Sequence, residues 1–255
     1  MGGLWSNIGA RFFGCSDKNL AICREAKMEY KQSGFTLIEI AIVLVIITLL
    51  LGGVMKGQEL INNAKVTNLI RDFDTVKQAI YGYQGSYKVL PGDDVNAAVH
   101  VAGTVASTPA TSVGNGTIDG AWDSVTATDE SVVFWQHVRL AGLLAGQQTV
   151  TVTSVLDPYF PVNVAGGRIG VQGNLGTTNS PKPIAGIPGT YVICSANIPG
   201  KLAKRLDIMQ DDGDTALGAM RVTAVAAGTA AVAAGQAVAS KPLADDSLYT
   251  VCLGI

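Results

Sequence analysis

Residues 34 to 54 read Gly-Phe-Thr-Leu-Ile-Glu-Ile-Ala-Ile-Val-Leu-Val-Ile-Ile-Thr-Leu-Leu-Leu-Gly-Gly-Val. About 20 apolar residues in a helix span a bilayer core of about 30 Å, so this run is long enough to cross a membrane. Its one charged side chain is Glu39, four residues after Phe35. A charge in such a segment costs roughly 2–4 kcal/mol at the helix centre and less near the ends, so Glu39 calls for a partner. A secretory signal peptide has a shorter apolar region that ends at a small-residue cleavage site. This run is longer, and no Ala-x-Ala follows it. A plain membrane anchor explains the length but neither Glu39 nor the Gly34–Phe35 junction.

Charge places the run in a membrane with a defined direction. Residues 1–34 carry Arg11, Lys18, Arg24, Lys27 and Lys31 against Asp17, Glu25 and Glu29, a net of +2. The whole chain is −2, which leaves −4 for the remainder. Basic residues before the run, with only Lys56 close behind it, put the N-terminus in the cytoplasm and residues beyond about 55 outside. No basic stripe points to a specific nucleic acid partner. A chain of 255 residues, 48% hydrophobic and 15% charged, suits one anchored domain of ordinary size.

Lys31, Gly34, Phe35, Thr36, Leu37 and Glu39 together resemble the cleavage and methylation signature of type IV prepilins and type II secretion pseudopilins. The resemblance covers roughly residues 28–90. It continues weakly in Leu-Pro-Gly-Asp-Asp at 90–94, in Trp-Gln-His-Val-Arg-Leu-Ala-Gly-Leu-Leu at 135–144, and in a late cysteine pair. It implies that a prepilin peptidase of the inner membrane cuts between Gly34 and Phe35 and N-methylates Phe35. It also implies that Glu39 serves assembly. Cutting there leaves an ammonium on Phe35 at the depth of the Glu39 carboxylate, and the two could pair between neighbouring subunits. A buried pair is tolerated where a lone charge is expensive, so the pair sets axial register more than it adds stability. Leu37, Ile38, Ile40 and the aliphatic residues beyond them would then form the filament core.

The resemblance orders the rest of the chain. Residues 1–34 become a cytoplasmic leader, 35–55 the transmembrane and assembly helix, and 56–255 a head that includes an amphipathic helix to about 85. Met28 is the alternative start, since Met-Glu-Tyr-Lys-Gln-Ser-Gly is a short leader of the common type. Cys15 and Cys23 fall in the leader. Cys194 and Cys252 fall in the exported part, where disulfides persist, and they resemble the C-terminal disulfide loop of pilins, which many pseudopilins lack. The implied fold is α+β and pilin-like, a long N-terminal helix packed on a small antiparallel sheet.

Along the head, Leu69, Phe73, Val76, Ile80 and Tyr83 recur on one helical face. One helix is therefore predicted over roughly 36–85, with Gly52 and Gly53 as a place to bend or unwind during assembly. Pro91-Gly92 ends it. Residues 95–128 read as a long loop. Thr128 or Asp129 caps a helix over about 130–145, whose apolar face is Val133, Phe134, His137, Val138, Ala141 and Leu144. Strands are predicted at 150–155, 168–172, 190–195, 218–225 and 247–253. A short helix at 199–209 carries Leu202, Leu206 and Met209 on one side. Residues 226–239 form an Ala/Gly/Val stretch read as a packed surface excursion.

Catalytic signatures are missing: there is no His-Glu-x-x-His, no Gly-x-Ser-x-Gly, no P-loop and no dinucleotide fingerprint. His137, beside Trp135, reads as a hydrogen-bonded core residue. Neither an enzyme nor a cofactor is expected. Calcium is weighed at two turns, Asp211-Asp212-Gly213-Asp214 and the loop from Gly114 to Gly120, with solvated turns as the plainer reading. The expected partners are identical or related subunits, the peptidase, the filament assembly platform, and the bacterial inner membrane before export to a periplasmic or surface filament. A pilus subunit is the first reading. A type II secretion pseudopilin is the second, and a membrane-tethered enzyme or binding module the third.

Overall fold

A computed structural model describes residues 34–109, 112–224 and 236–255. The leader with Cys15, Cys23, Met28 and Lys31, and most of the Ala/Gly/Val stretch, lie outside the described residues. The described elements run α1 (Leu37–Tyr87), α2 (Ala97–His100), α3 (Glu130–Leu140), β1 (Ile169–Gly173), β2 (Tyr191–Pro199), α4 (Gly200–Gln210), β3 (Met220–Thr223) and β4 (Leu248–Gly254). Contacts divide the chain into two compact units, one ending at Leu51 and one running from Gly52 to Ile255.

The helix α1 is continuous over 51 residues and passes through Gly52 and Gly53. Its first half has no core: Leu37, Ile38, Ile42, Leu44, Leu49 and Leu50 are all exposed. In the second unit the pattern changes to one buried face, Val66, Leu69, Phe73, Val76, Ala79, Ile80 and Tyr83. This is the stripe read from the sequence, extended by Val66 and Ala79.

The four strands form one antiparallel sheet in the order β1-β2-β4-β3. Because side chains alternate across a strand, each face receives every second residue. Ile193 and Ile198 of β2, with Val251 and Leu253 of β4, join the main core. That core also takes the α1 stripe, Phe134 and Trp135 of α3, and Leu202 and Leu206 of α4. Val192, Cys194 and Ala196 of β2 face the other way and meet Cys252, Trp122, Ile184 and Ile187 in a smaller cluster. The sheet is thus covered on both sides in an α+β layout of pilin type.

Four sequence expectations are corrected. Residues 150–155 are not a strand, although Val150 and Val152 pack against the core. No strand among the described residues pairs with this segment, and the Asp157 carboxylate instead accepts the Thr153 N–H at 3.0 Å and its hydroxyl at 2.9 Å. Second, α3 stops at Leu140 rather than at 145, with Gly142 at φ 71°. Third, α3 has no solvent face: Glu130, Ser131, Gln136, His137 and Arg139 are buried along with its apolar residues. Fourth, Met209 of α4 is exposed while Leu202 and Leu206 are buried. The long loop after α1 also holds a single helical turn, α2.

Candidate functional site

The first three described residues, Gly34, Phe35 and Thr36, precede the first turn of α1. A Cβ at Gly34 would meet nothing within 4 Å, and Phe35 is 82% exposed. Among the described residues, nothing packs over this junction from Gly34, and Phe35 is exposed. Thr36 stands at the N-cap position of a helix that begins at Leu37. The Glu39 carboxylate accepts the Thr36 N–H at 2.8 Å and the Thr36 hydroxyl at 2.9 Å, while Thr36 Oγ1 lies 3.3 Å from the Glu39 N–H. This is a capping box, a Thr and a Glu three apart that satisfy each other's free amides at a helix start. The Thr-x-x-Glu spacing is visible in the sequence, although the sequence reading gives Glu39 an assembly role and no capping role.

Past Glu39 the helix is suited to lipid. An 18-residue window of α1 has a mean hydropathy of 2.8, with none of it buried, so α1 is long and apolar enough to cross a membrane. The hydroxyl of Thr48 donates to the Leu44 carbonyl oxygen at 2.8 Å. Polar groups surrounded by hydrocarbon must be satisfied internally, and this bond meets that need. The described residues thus run from an exposed Gly34–Phe35 pair to a self-capped carboxylate and then an apolar helix.

The family model of the prokaryotic N-terminal methylation motif matches residues 30–55. The chain carries that motif. No curated protein matches the chain, and no solved structure does. The matched residues hold the Gly34–Phe35 junction, Thr36, Glu39 and the start of the apolar run, so the motif lies where the structure exposes the bond and caps the helix. With the apolar helix, it fits a subunit anchored in the inner membrane and processed as prepilins are.

The head carries the second group of predicted residues. Cys194 and Cys252 form a disulfide, facing each other across β2 and β4 with Cα atoms 4.1 Å apart. That close spacing matches a non-hydrogen-bonded antiparallel pair. His137 is buried and bonded as expected: Nδ1 accepts the Gly92 N–H at 3.0 Å and Nε2 meets the Thr104 carbonyl at 2.8 Å. Burial holds its imidazole below the ordinary histidine range. Gly92 is at φ 93°, and a Cβ there would sit 2.5 Å from the Glu130 carbonyl oxygen, so a larger residue would break the approach of 90–94 to α3.

The Leu-Pro-Gly-Asp-Asp stretch does more than end a helix. Asp93 accepts the amides of Gly114, Asn115 at 3.1 Å and Gly116 at 2.7 Å. The start of the Gly114–Gly120 loop thus turns three successive amides onto the Asp93 carboxylate. Asp94 accepts the Tyr83 hydroxyl at 2.7 Å and the Asn96 amide at 2.8 Å, and meets His100 Nδ1 at 2.6 Å. This joins the last turns of α1 to α2. Glu130 accepts the Asp119 amide at 2.7 Å and lies 2.8 Å from Ser112 Oγ. Burial, with Asp93 and Asp119 close by, pushes its carboxyl up to about 7.

One residue escaped the sequence reading altogether. Asp207, on α4, is fully buried, and neither carboxylate oxygen has a hydrogen-bond partner. Oxygens from Asp207, Asp211 and Asp212 come within 4.8 Å of one another. Burial, reinforced by Asp212 and Asp211, pushes the Asp207 carboxyl up to about 6.

Proposed function

We propose that this chain is a structural subunit of a type IV pilus-like filament, cleaved between Gly34 and Phe35, N-methylated on Phe35 and assembled from the inner membrane. The observation that carries the reading is the exposed Gly34–Phe35 bond set one turn before a capped Glu39, inside the matched motif. Cleavage leaves a Phe35 ammonium whose natural counterion is a Glu39 carboxylate of an adjoining subunit. The exposed aliphatic residues of the first half of α1 supply the packing surface of the filament core once they leave lipid.

The work is structural rather than catalytic. Its partners are copies of this chain or related subunits, the prepilin peptidase and an assembly platform that supplies the energy. The disulfide between Cys194 and Cys252 favours a pilus subunit over a secretion pseudopilin, and it requires export to an oxidising compartment. Electron microscopy of sheared filaments, with mass spectrometry of the subunit N-terminus, tests the reading. Methylated Phe35 as first residue is expected. A polypeptide that keeps residue 34 and never assembles would overturn it.

A further inference from the structure

We propose that the outward face of α4, centred on Ile208 and Met209, docks on the phospholipid headgroup layer of the membrane that holds α1, before the subunit enters a filament. The inference rests on the membrane anchoring proposed above. A helix packed on a core normally turns a polar face to water. Buried Leu202, Ala203 and Leu206 and exposed Lys201 follow that rule, but the last turn of α4 breaks it. Ile208 is 66% exposed and Met209 is 60% exposed. Met209 continues the stripe of Leu202 and Leu206 by helical spacing, so the stripe runs on past the edge of the core. The turn that follows does not cover it. Gly213 stands against Ile208, where a Cβ would come to 3.4 Å of Ile208 Cγ1, and it has no side chain to close over the isoleucine.

The place of α4 along α1 says what meets this face. The Arg205 guanidinium donates to Asn63 Oδ1 at 2.5 Å. Asn63 is eight residues beyond Met55, where the apolar run gives way to Lys56. Residues 56–63 are helical and belong to the same compact unit as α4. Eight residues of helix rise about 12 Å, and the headgroup layer outside the hydrocarbon is about 5–8 Å deep. The residue that Arg205 grips is thus within a few ångströms of the headgroups. Leu60 and Ile61, in that same stretch, are exposed as well.

Bulky apolar side chains beside Lys and Arg suit a membrane interface, where the apolar groups enter by about 5–10 Å and the cations reach phosphates. Lys201 and Arg205 lie on the side of Ile208, two turns and one turn back. Several nearby acids already have partners: Asp245 meets Lys204 at 2.6 Å, Asp214 meets Lys241, and Asp211 accepts the Met220 amide at 2.7 Å. Asp212 and Asp246 stay exposed, so the surroundings are balanced in charge rather than cationic. Burial of Ile208 and Met209 therefore drives the contact, more than attraction to anionic lipid.

Full-length Ile208→Trp in vesicles of phosphatidylethanolamine and phosphatidylglycerol, brominated in the upper acyl chain, tests the contact. The wild-type chain, with Trp5, Trp122 and Trp135, supplies the baseline. Leu175→Trp is the control. Leu175 is exposed and follows β1, whose Gly173 pairs with Tyr191. Tyr191 is hydrogen-bonded to Tyr81, eighteen residues farther along α1 than Asn63. The added emission of Ile208→Trp is expected to fall about twofold against unbrominated vesicles, and that of Leu175→Trp to stay unchanged. Vesicle flotation separates the two readings. A chain that fails to float overturns the anchoring and the docking with it. A floating chain whose two variants are quenched alike, or not at all, overturns the docking alone. Shielding of the indole introduced at 208 in sheared filaments but not in vesicles would assign the face to a neighbouring subunit, and would overturn the docking too.

Discussion

The Glu39 carboxylate accepts the backbone N–H of Thr36 at 2.8 Å, three residues back along its own chain. Before cleavage the acid therefore already has work to do at the start of α1. The observed cap and the proposed pairing with a neighbour's ammonium can be separated by substitution. Glu39→Gln keeps the capping box, which accepts either residue, but removes the charge. Glu39→Val removes both. If the charge governs assembly, both variants are processed and neither forms filaments. Filaments from the Gln variant alone would show that the cap is what matters. Immunoblots of leader removal and electron microscopy of sheared filaments read the result.

Thr36→Ala removes the cap from the other side and leaves Glu39 charged. Loss of an N-cap costs about 1 kcal/mol of helix stability. Assembly is expected to survive with reduced yield, measured as the ratio of filament to membrane-held subunit.

Glu130 sets a pH dependence in the head. Ser112 has a single hydroxyl proton, yet its Oγ lies 2.6 Å from the Pro109 carbonyl and 2.8 Å from Glu130 Oε1. A proton on Glu130 meets both contacts, since the acid donates to Ser112 and Ser112 to Pro109. The folded pKa of about 7 lies above the ordinary 4.5, so the folded state binds the extra proton. Stability from this group is full below about pH 4.5 and is lost as pH rises through about 7. His137 runs the other way: its lowered pKa means stability is lost as pH falls below about 6.5. The difference between wild type and Glu130→Gln isolates the glutamate. In urea melts from pH 4.5 to 8, the Gln variant is expected to gain relative to wild type as pH rises, by on the order of 3 kcal/mol at the upper end.

His137→Leu leaves the Gly92 N–H and the Thr104 carbonyl without their partner. Each unsatisfied buried group costs about 1–3 kcal/mol, so the loss is expected near 3 kcal/mol. Chemical denaturation of the variant and wild type at pH 8, where the imidazole is neutral in both states, gives the number.

Reduction, or Cys194→Ala with Cys252→Ala, opens a loop spanning a separation of 58 residues. The chain-entropy model gives about 4 kcal/mol for a loop of that size. A fall in the urea midpoint with dithiothreitol, absent in the double variant, checks it.

The sequence made α1 plain because Leu69, Phe73, Val76, Ile80 and Tyr83 all answer to one packed side. Four strands were readable as short β-branched runs bounded by turns. Residues 150–155 have the same composition, but a strand exists only where another strand lies alongside, and no local pattern records that. The burial of every side of α3 was equally hidden, since the groups that satisfy His137, Gln136 and Glu130 come from distant loops. Thr36 and Glu39 were legible as a cap from spacing alone. Asp207 was not, because a lone acid on a short helix looks like a solvated one until the tertiary fold buries it.

The bridge between Cys194 and Cys252 encloses α4, β3 and the acidic turn in a covalent ring. A subunit of the proposed filament would meet proteases outside the cell, and a single nick within that ring leaves both pieces tethered. Such damage would stay invisible on a gel until a reductant is added, and the clipped subunit could keep its place among its neighbours.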